Sequence, residues 1–315
     1  MSFKSLEDLA ATVLESGLRP RVAIAPCEEE FVLRSAVEAQ ANNVAEPVLV
    51  GNHSKTMEIA QKYNLDISQF EFHEEPEPSL AVQKAIDLYR SGKVALIMKG
   101  LISTSIILKA ILNKKTGVPP QGLISHVSVF KAPNSDRLML LTDAAVNIKP
   151  NLQRKVDILC NALDVARKLG ITCPKAAVLA ATEKVNYPAM PATLDAQILS
   201  QMASEGAFGD AIVAGPLQLD LAVSPVAAAC KGITDPVAGH ADLLVAQDIE
   251  SANILYKSLT TIAGICVAGV VVGSSVPIVV PSRGDSERTK YFSIVLASYL
   301  SQKKSDQICR ARTFK

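Results

Sequence analysis

A two-domain α/β protein is what this sequence predicts, on three observations. Short apolar, β-branched runs recur along the chain, at 21–26, 47–51, 94–98, 138–141, 176–180, 211–214, 243–245, 267–272 and 278–280. Segments with apolar residues at a period near 3.6 separate most of them, which implies βαβ units in a three-layer αβα arrangement with mainly parallel sheets. At 315 residues the chain is long for one core.

The elements follow in order. Strand 21–26 leads to a helix over 28–41, with Val32, Leu33 and Val37 on one face. Strand 47–51 precedes a helix through Ile59 and Tyr63. An acidic loop over 71–78 comes next, then a helix over 80–89, strand 94–98 and a helix starting near Ser103. The polar stretch 131–137 lies between apolar runs at 127–130 and 138–141 and reads as a β-hairpin turn. We expect one domain over 1–130 completed by 272–315, and a second over 131–271, with the active site in the cleft between them.

Composition narrows the function. Apolar residues make up 49% and charged residues 20%, as in a globular chain with a large interior. A net charge of +1 without a long basic run gives no reason to expect a nucleic-acid partner. The apolar stretch 262–272 is too short to cross a membrane, and the N-terminus lacks an apolar signal region. We therefore expect a cytoplasmic protein with reduced thiols. Its six cysteines are scattered, with no C-x-x-C pair; Cys27, at a strand end, reads as core or as cleft-facing.

Ligands of parallel sheets bind at the carboxyl ends of the strands, and polar motifs fall there repeatedly. After strand 278–280 come Pro281, Ser282, Arg283, Gly284, Asp285 and Ser286. Ser282 with Asp285 resembles a helix N-cap and its partner acid, and Gly284 suggests a backbone conformation closed to other residues. A helix start favours an anion, and Arg283 adds a planar, permanently charged fork suited to phosphate. This turn is expected to hold a phosphate-bearing substrate.

Lys99 and Gly100, followed by Ser103 and Thr104, read equally as an anion nest and an ordinary helix cap. Asp143 and Asn147 bracket small apolar residues after a strand, and are expected either to converge on the crevice or to form an Asx turn. Glu183 and Asn186 follow another strand, where Glu183 is a substrate-facing acid or a cap. His240 and His126 lie near strand ends without an evident acid partner. No G-x-G-x-x-G follows a strand, G-x-S-x-G is absent, and no acidic cluster has metal-binding spacing, so neither cofactor nor metal is expected. Hydroxyls, amides, backbone N–H groups and one strong cation suit phosphate binding and oxyanion stabilisation.

Six short segments carry a resemblance. They are Thr-Asp-Ala-Ala-Val-Asn (142–147), Val-Asn (185–186) with Met-Pro-Ala-Thr-Leu-Asp (190–195), Gly-Pro-Leu (215–217), Pro-Val-Ala-Gly (236–239), Ala-Asn (252–253) and Pro-Ser-Arg-Gly-Asp-Ser (281–286). From Arg21 onward the chain resembles the phosphate acetyl/butyryltransferase family, more closely its butyryltransferase branch. That resemblance implies acyl-CoA + phosphate ⇌ acyl phosphate + CoA, with both as substrates and no cofactor. It also implies an isocitrate/isopropylmalate dehydrogenase-like architecture and a homodimer or larger assembly.

By the same likeness, Ser282 and Arg283 are the catalytic pair. The acid that the acetyltransferase branch uses as base is replaced by Thr289, leaving Asp285 and Glu287 as nearby substitutes. Ala214 stands where relatives commonly carry Asp, while Asp220 matches the later acid of that segment. The expected site thus comprises Ser282, Arg283 and Asp285 as catalytic residues. Lys99, Ser103, Thr104, Asp143, Asn147, Glu183, Asn186, Gly284 and Ser286 are expected to bind substrate. Alternatives are the acetyl-transferring activity, a dehydrogenase of the same fold, and a catalytically silent ligand-binding relative.

Overall fold

The computed structural model describes residues 3–118, 120–133, 135–303 and 309. In chain order the elements begin with α1 (Leu6–Glu15), β1 (Arg21–Ala25), α2 (Glu30–Ala41), β2 (Glu46–Gly51), α3 (His53–Lys62) and β3 (Glu71–Glu74). Then come α4 (Pro78–Arg90), β4 (Leu96–Lys99), α5 (Thr104–Ile111), β5 (Pro120–Lys131), β6 (Leu138–Thr142) and α6 (Leu152–Lys168). The middle continues with β7 (Lys175–Leu179), α7 (Pro191–Ser204), β8 (Ile212–Leu217), α8 (Leu219–Val223) and α9 (Pro225–Cys230). The last are β9 (Leu243–Val245), α10 (Ile249–Lys257), a π-helical turn (Ser258–Ile262), β10 (Val267–Ser274), β11 (Ile278–Val279) and α11 (Glu287–Ser301).

Two compact units form. The first is Ser5–Gly122 with Cys266–Lys304, and the second is Leu123–Ile265 with Phe3, Lys4 and Cys309. The breaks fall ahead of 130/131 and 271/272, because the ladder of β5 belongs with its hairpin partner β6 and β10 packs against α11.

In the first unit the strands run β3-β2-β1-β4-β11-β10, all parallel except the β10–β11 pair. The apolar runs of β1, β2 and β4 are buried, as expected for strands covered on both faces. β3 replaces part of the acidic loop expected over 71–78. Its sequence Glu-Phe-His-Glu lacks an apolar run because it is an edge strand, paired only through β2 among the described residues. α11 is buried at every position from Thr289 to Leu300 and packs on β10, α2 and α1. A helix buried around its whole circumference lies in a core rather than over it.

The second unit orders its strands β5-β6-β9-β7-β8, with an antiparallel β5–β6 hairpin and parallel pairs beyond it. The hairpin expected between 127–130 and 138–141 forms, with Val127 opposite Thr142 through Lys131 opposite Leu138. Cys160 on α6 is disulfide-bonded to Cys309, which corrects the expectation of reduced thiols throughout; Cys27, Cys173, Cys230 and Cys266 are free. Isolated cysteines far apart in sequence carry no spacing signal for such a pair. No described helix is long and apolar enough to cross a membrane.

Candidate active site

Strand register assembles the site of the first unit. Ala25 of β1 lies beside Lys99 of β4, and Met98 beside Val279 of β11, all in parallel. The segments that leave these three carboxyl ends are therefore neighbours, although they are remote in sequence. Gly100 joins two of them closely. Its N–H donates to the Ala25 carbonyl at 3.0 Å, and a Cβ there would sit 1.7 Å from the Pro26 oxygen, so only glycine fits.

The turn after β11 is closed by Asp285. One carboxylate oxygen, Oδ2, accepts the Ser282 N–H at 2.8 Å, and the Asp285 N–H returns to the Ser282 carbonyl at 3.2 Å. Ser282 thus does not cap the following helix. α11 starts at Glu287, and its N-cap is Ser286, whose Oγ accepts the Thr289 N–H at 3.2 Å. Both serines precede a possible helix start, and spacing alone did not separate them. Gly284 also departs from expectation. It is absent from the positive-φ residues and a Cβ there would meet nothing within 4 Å, so it leaves open space rather than enabling a special conformation.

Charge converges on this turn. Arg283 is exposed, while Lys99, Asp285 and Lys290 are buried at 3%, 6% and 2% exposure. Lys290, which the sequence reading passed over, donates to the Asp285 carbonyl at 2.6 Å and lies 5.4 Å from the Phe31 ring. Lys99 donates to the carbonyls of Gly100 and Ile102, both at 3.1 Å. Burial, then the charges of Arg283 and Lys290, push the Lys99 ammonium down to about 8, against an opposite pull from Asp285 and Glu29. Glu29 is itself engaged, accepting the N–H groups of Phe31 and Val32 at the start of α2.

Ser103 caps α5, accepting the Ile106 N–H at 3.4 Å, with the Ser105 hydroxyl 3.0 Å away; Thr104 is the first residue of that helix. The helix cap of this stretch is thus formed. Cys27 is buried, its sulfur 3.4 Å from the Thr56 hydroxyl, and burial pushes the thiol up to about 12. A thiol held there is no nucleophile at neutral pH. At the same strand ends a cavity of about 590 Å³ is lined by residues including Pro26, Glu29, Lys55, Lys62, Tyr63 and Leu101.

The remaining expected residues belong to the second unit, where they are occupied differently. Asp143 accepts the N–H groups of Ala145 and Val146 on Oδ1, at 3.1 and 3.0 Å. Its Oδ2 accepts the Asn147 N–H at 3.1 Å and the Asn147 side-chain amide at 2.6 Å. An ionised carboxylate offers about four acceptor positions, so these donors fill it. Asn147 also donates to the Ile124 carbonyl at 2.9 Å. The pair organises its own loop, the Asx-turn alternative.

Glu183 is paired with Lys231 at 2.9 Å, and that hydrogen bond holds its carboxyl below the usual range. The Asn186 N–H donates to the Thr193 hydroxyl at 2.9 Å, and its side chain lies in an exposed loop. His240 is exposed, while buried His126 has Nδ1 3.4 Å from the Ser128 hydroxyl. Asp195, in one of the quoted segments, binds the buried ammonium of Lys155 at 2.7 Å, and Gln247 completes that contact at 2.7 Å. Among the described residues no group of three or more His, Cys, Asp or Glu is placed to hold a metal ion.

Comparison with known proteins follows the same lines. Residues 78–298 match the family model described as phosphate acetyl/butaryl transferase. A phosphate butyryltransferase of Clostridium acetobutylicum is 40% identical over 301 residues, covering 96% of this chain and 99% of that protein. The crystal structure of a branched-chain phosphotransacylase from Enterococcus faecalis V583 is 32% identical with a TM-score of 0.79, covering 90% of this chain and all of the other (100%). A 4-hydroxythreonine-4-phosphate dehydrogenase from Klebsiella pneumoniae shares the fold at 14% identity and a TM-score of 0.51, over 90% of this chain and 98% of the other. This chain belongs to the phosphate acetyl/butaryl transferase family.

Proposed function

We propose that the protein transfers a short acyl group between CoA and inorganic phosphate, with butyryl or a chain of similar size favoured over acetyl. The observation that carries this reading is the turn after β11. There an exposed guanidinium, Arg283, stands with Lys99 and Lys290 around a carboxylate already engaged in closing the turn. That surplus of positive charge, next to the start of a helix, favours a dianionic substrate. The family places the same chemistry on the chain as a whole.

In this mechanism a phosphate oxygen attacks the thioester carbonyl. Negative charge grows on the carbonyl oxygen, where the Arg283 guanidinium and the N–H groups of the turn other than those of Ser282 and Asp285, which close it, stabilise the charge. Ser282 orients the substrate, and Asp285 holds Ser282 in place. Gly284 leaves open space above the turn, and the cavity beyond the ends of β1 and β4 provides room for part of the CoA chain. The same reading makes the protein a cytoplasmic homo-oligomer, which light scattering and localisation of a tagged copy would check.

The test is release of free thiol from acyl-CoA esters of two to five carbons, with and without phosphate. Release that requires phosphate and is fastest near four carbons is expected. Hydrolysis indifferent to phosphate, or no release, would overturn the proposal. Nicotinamide reduction with a hydroxy-acid substrate would instead favour the dehydrogenase alternative.

A further inference from the structure

We propose that Lys99 is the general acid–base residue of this site, protonating the sulfur of departing CoA and, in the reverse reaction, deprotonating the CoA thiol. This rests on the acyl-transfer reading above.

The geometry around Lys99 suits a group that must gain and lose a proton without moving. Its nitrogen is held by two carbonyls, Gly100 and Ile102, each at 3.1 Å. A neutral amine has two N–H bonds and one lone pair, and an ammonium has three N–H bonds. The two carbonyls take the same two hydrogens in either state, so only the third position changes between donor and lone pair. The charges that bear on it are Arg283, Asp285 and Lys290 from the β11–α11 turn and helix, and Glu29 from the segment after β1. With burial, they bring the amine to about 8, where both forms are populated near neutral pH.

Other groups of this unit are less suited. The Asp285 carboxylate closes its turn, and Glu29 caps α2. The Thr289 hydroxyl lies 3.2 Å from that of Ser286 and 3.9 Å from the Cys266 sulfur. His73 is paired with Glu71 at the β3 edge, and His53 packs edge-on against Phe72 of the same strand.

The step balances without another reactant. An oxygen of hydrogen phosphate forms the new C–O bond, and the C–S bond breaks with its electron pair on sulfur. The Lys99 ammonium gives that sulfur a proton, leaving CoA thiol and a neutral amine. Acylation makes the remaining phosphate hydroxyl more acidic, and its proton returns to the amine.

The experiment is a pair of pH–rate profiles, for phosphate-dependent CoA release from butyryl-CoA and for CoA acylation by butyryl phosphate. It uses wild type, Lys99→Met and Lys99→Arg, with folding checked by circular dichroism. In wild type, CoA release should fall above about pH 8 as the ammonium is lost, and the reverse rate should rise through the same range. Both variants should lose that limb and at least about a hundredfold in turnover; arginine keeps the charge but does not titrate. With a butyryl thioester of thiophenol, whose thiolate leaves without a proton, the loss should shrink to less than about tenfold.

Wild-type turnover in a folded Lys99→Arg protein would overturn the assignment. So would an undiminished penalty on the thiophenol ester, or a wild-type CoA-release rate that does not fall above about pH 8. That last measurement decides the matter even where neither variant folds. No phosphate-dependent CoA release in wild type would sink the acyl-transfer reading itself, whereas release that is indifferent to Lys99 would sink only the role of this lysine.

Discussion

The turn after β11 and the loop after β6 look alike in sequence: each follows a buried strand and carries an Asp among small or hydroxyl residues. Their structures differ in where the polar atoms are spent. Asp143 accepts four hydrogen bonds from its own loop and leaves little for a ligand. Asp285 also serves its own backbone, but around it stand Arg283, Lys99 and Lys290, and Arg283 is exposed. A saturated polar loop contributes to folding, whereas a loop with surplus charge at a strand end can recognise a substrate. The position of a polar motif therefore says less than the balance of its donors, acceptors and charges.

Substitutions at the two loops should separate these roles. Arg283→Ala should lower turnover about a hundredfold, roughly 3 kcal/mol of transition-state stabilisation, with an unchanged unfolding midpoint. Steady-state rates and a thermal melt on the same preparation check both halves. Asp143→Ala should do the reverse. It strands buried donors, each of which costs about 1–3 kcal/mol when left unmade, so a clear loss of stability in urea is expected, with near-normal turnover in the fraction that remains folded. Low turnover in stable, folded Asp143→Ala would place that loop in the chemistry and erase the contrast.

Smaller effects follow. Ser282→Ala should cost about tenfold or less, since a neutral hydroxyl orients without supplying charge; hydrogen bonds of that kind are worth about 0.5–1.5 kcal/mol. A loss equal to that of Arg283→Ala would give the hydroxyl a larger part than orientation. Cys27→Ser should leave turnover within about twofold, because a thiol titrating near 12 is protonated throughout the working range. Inactivation of folded Cys27→Ser would bring a covalent route back.

Much of the fold was legible in the amino-acid sequence. Strands buried on both faces announce themselves as apolar runs, as in β1, β2 and β4. β3 did not, since an edge strand of Glu-Phe-His-Glu has no such run. α1 was also passed over, although Ser5 caps it and Leu6, Leu9 and Val13 form its buried face. Within the site, Arg283 was legible from its charge and its place after a strand. Lys290 was not, because its burial against Phe31 arises only when α2 and α11 pack together. The surroundings of Lys99 depend likewise on β4 and β11 being neighbours, a register that no local pattern encodes.

The most direct measurement is the initial rate of CoA release from butyryl-CoA as phosphate is raised, for wild type and for folded Arg283→Ala. The account predicts a wild-type rate that saturates with phosphate and a variant rate about a hundredfold lower at every phosphate concentration. Equal rates in the two proteins would show that Arg283 does not stabilise the transition state of acyl transfer, and would contradict the account at its centre.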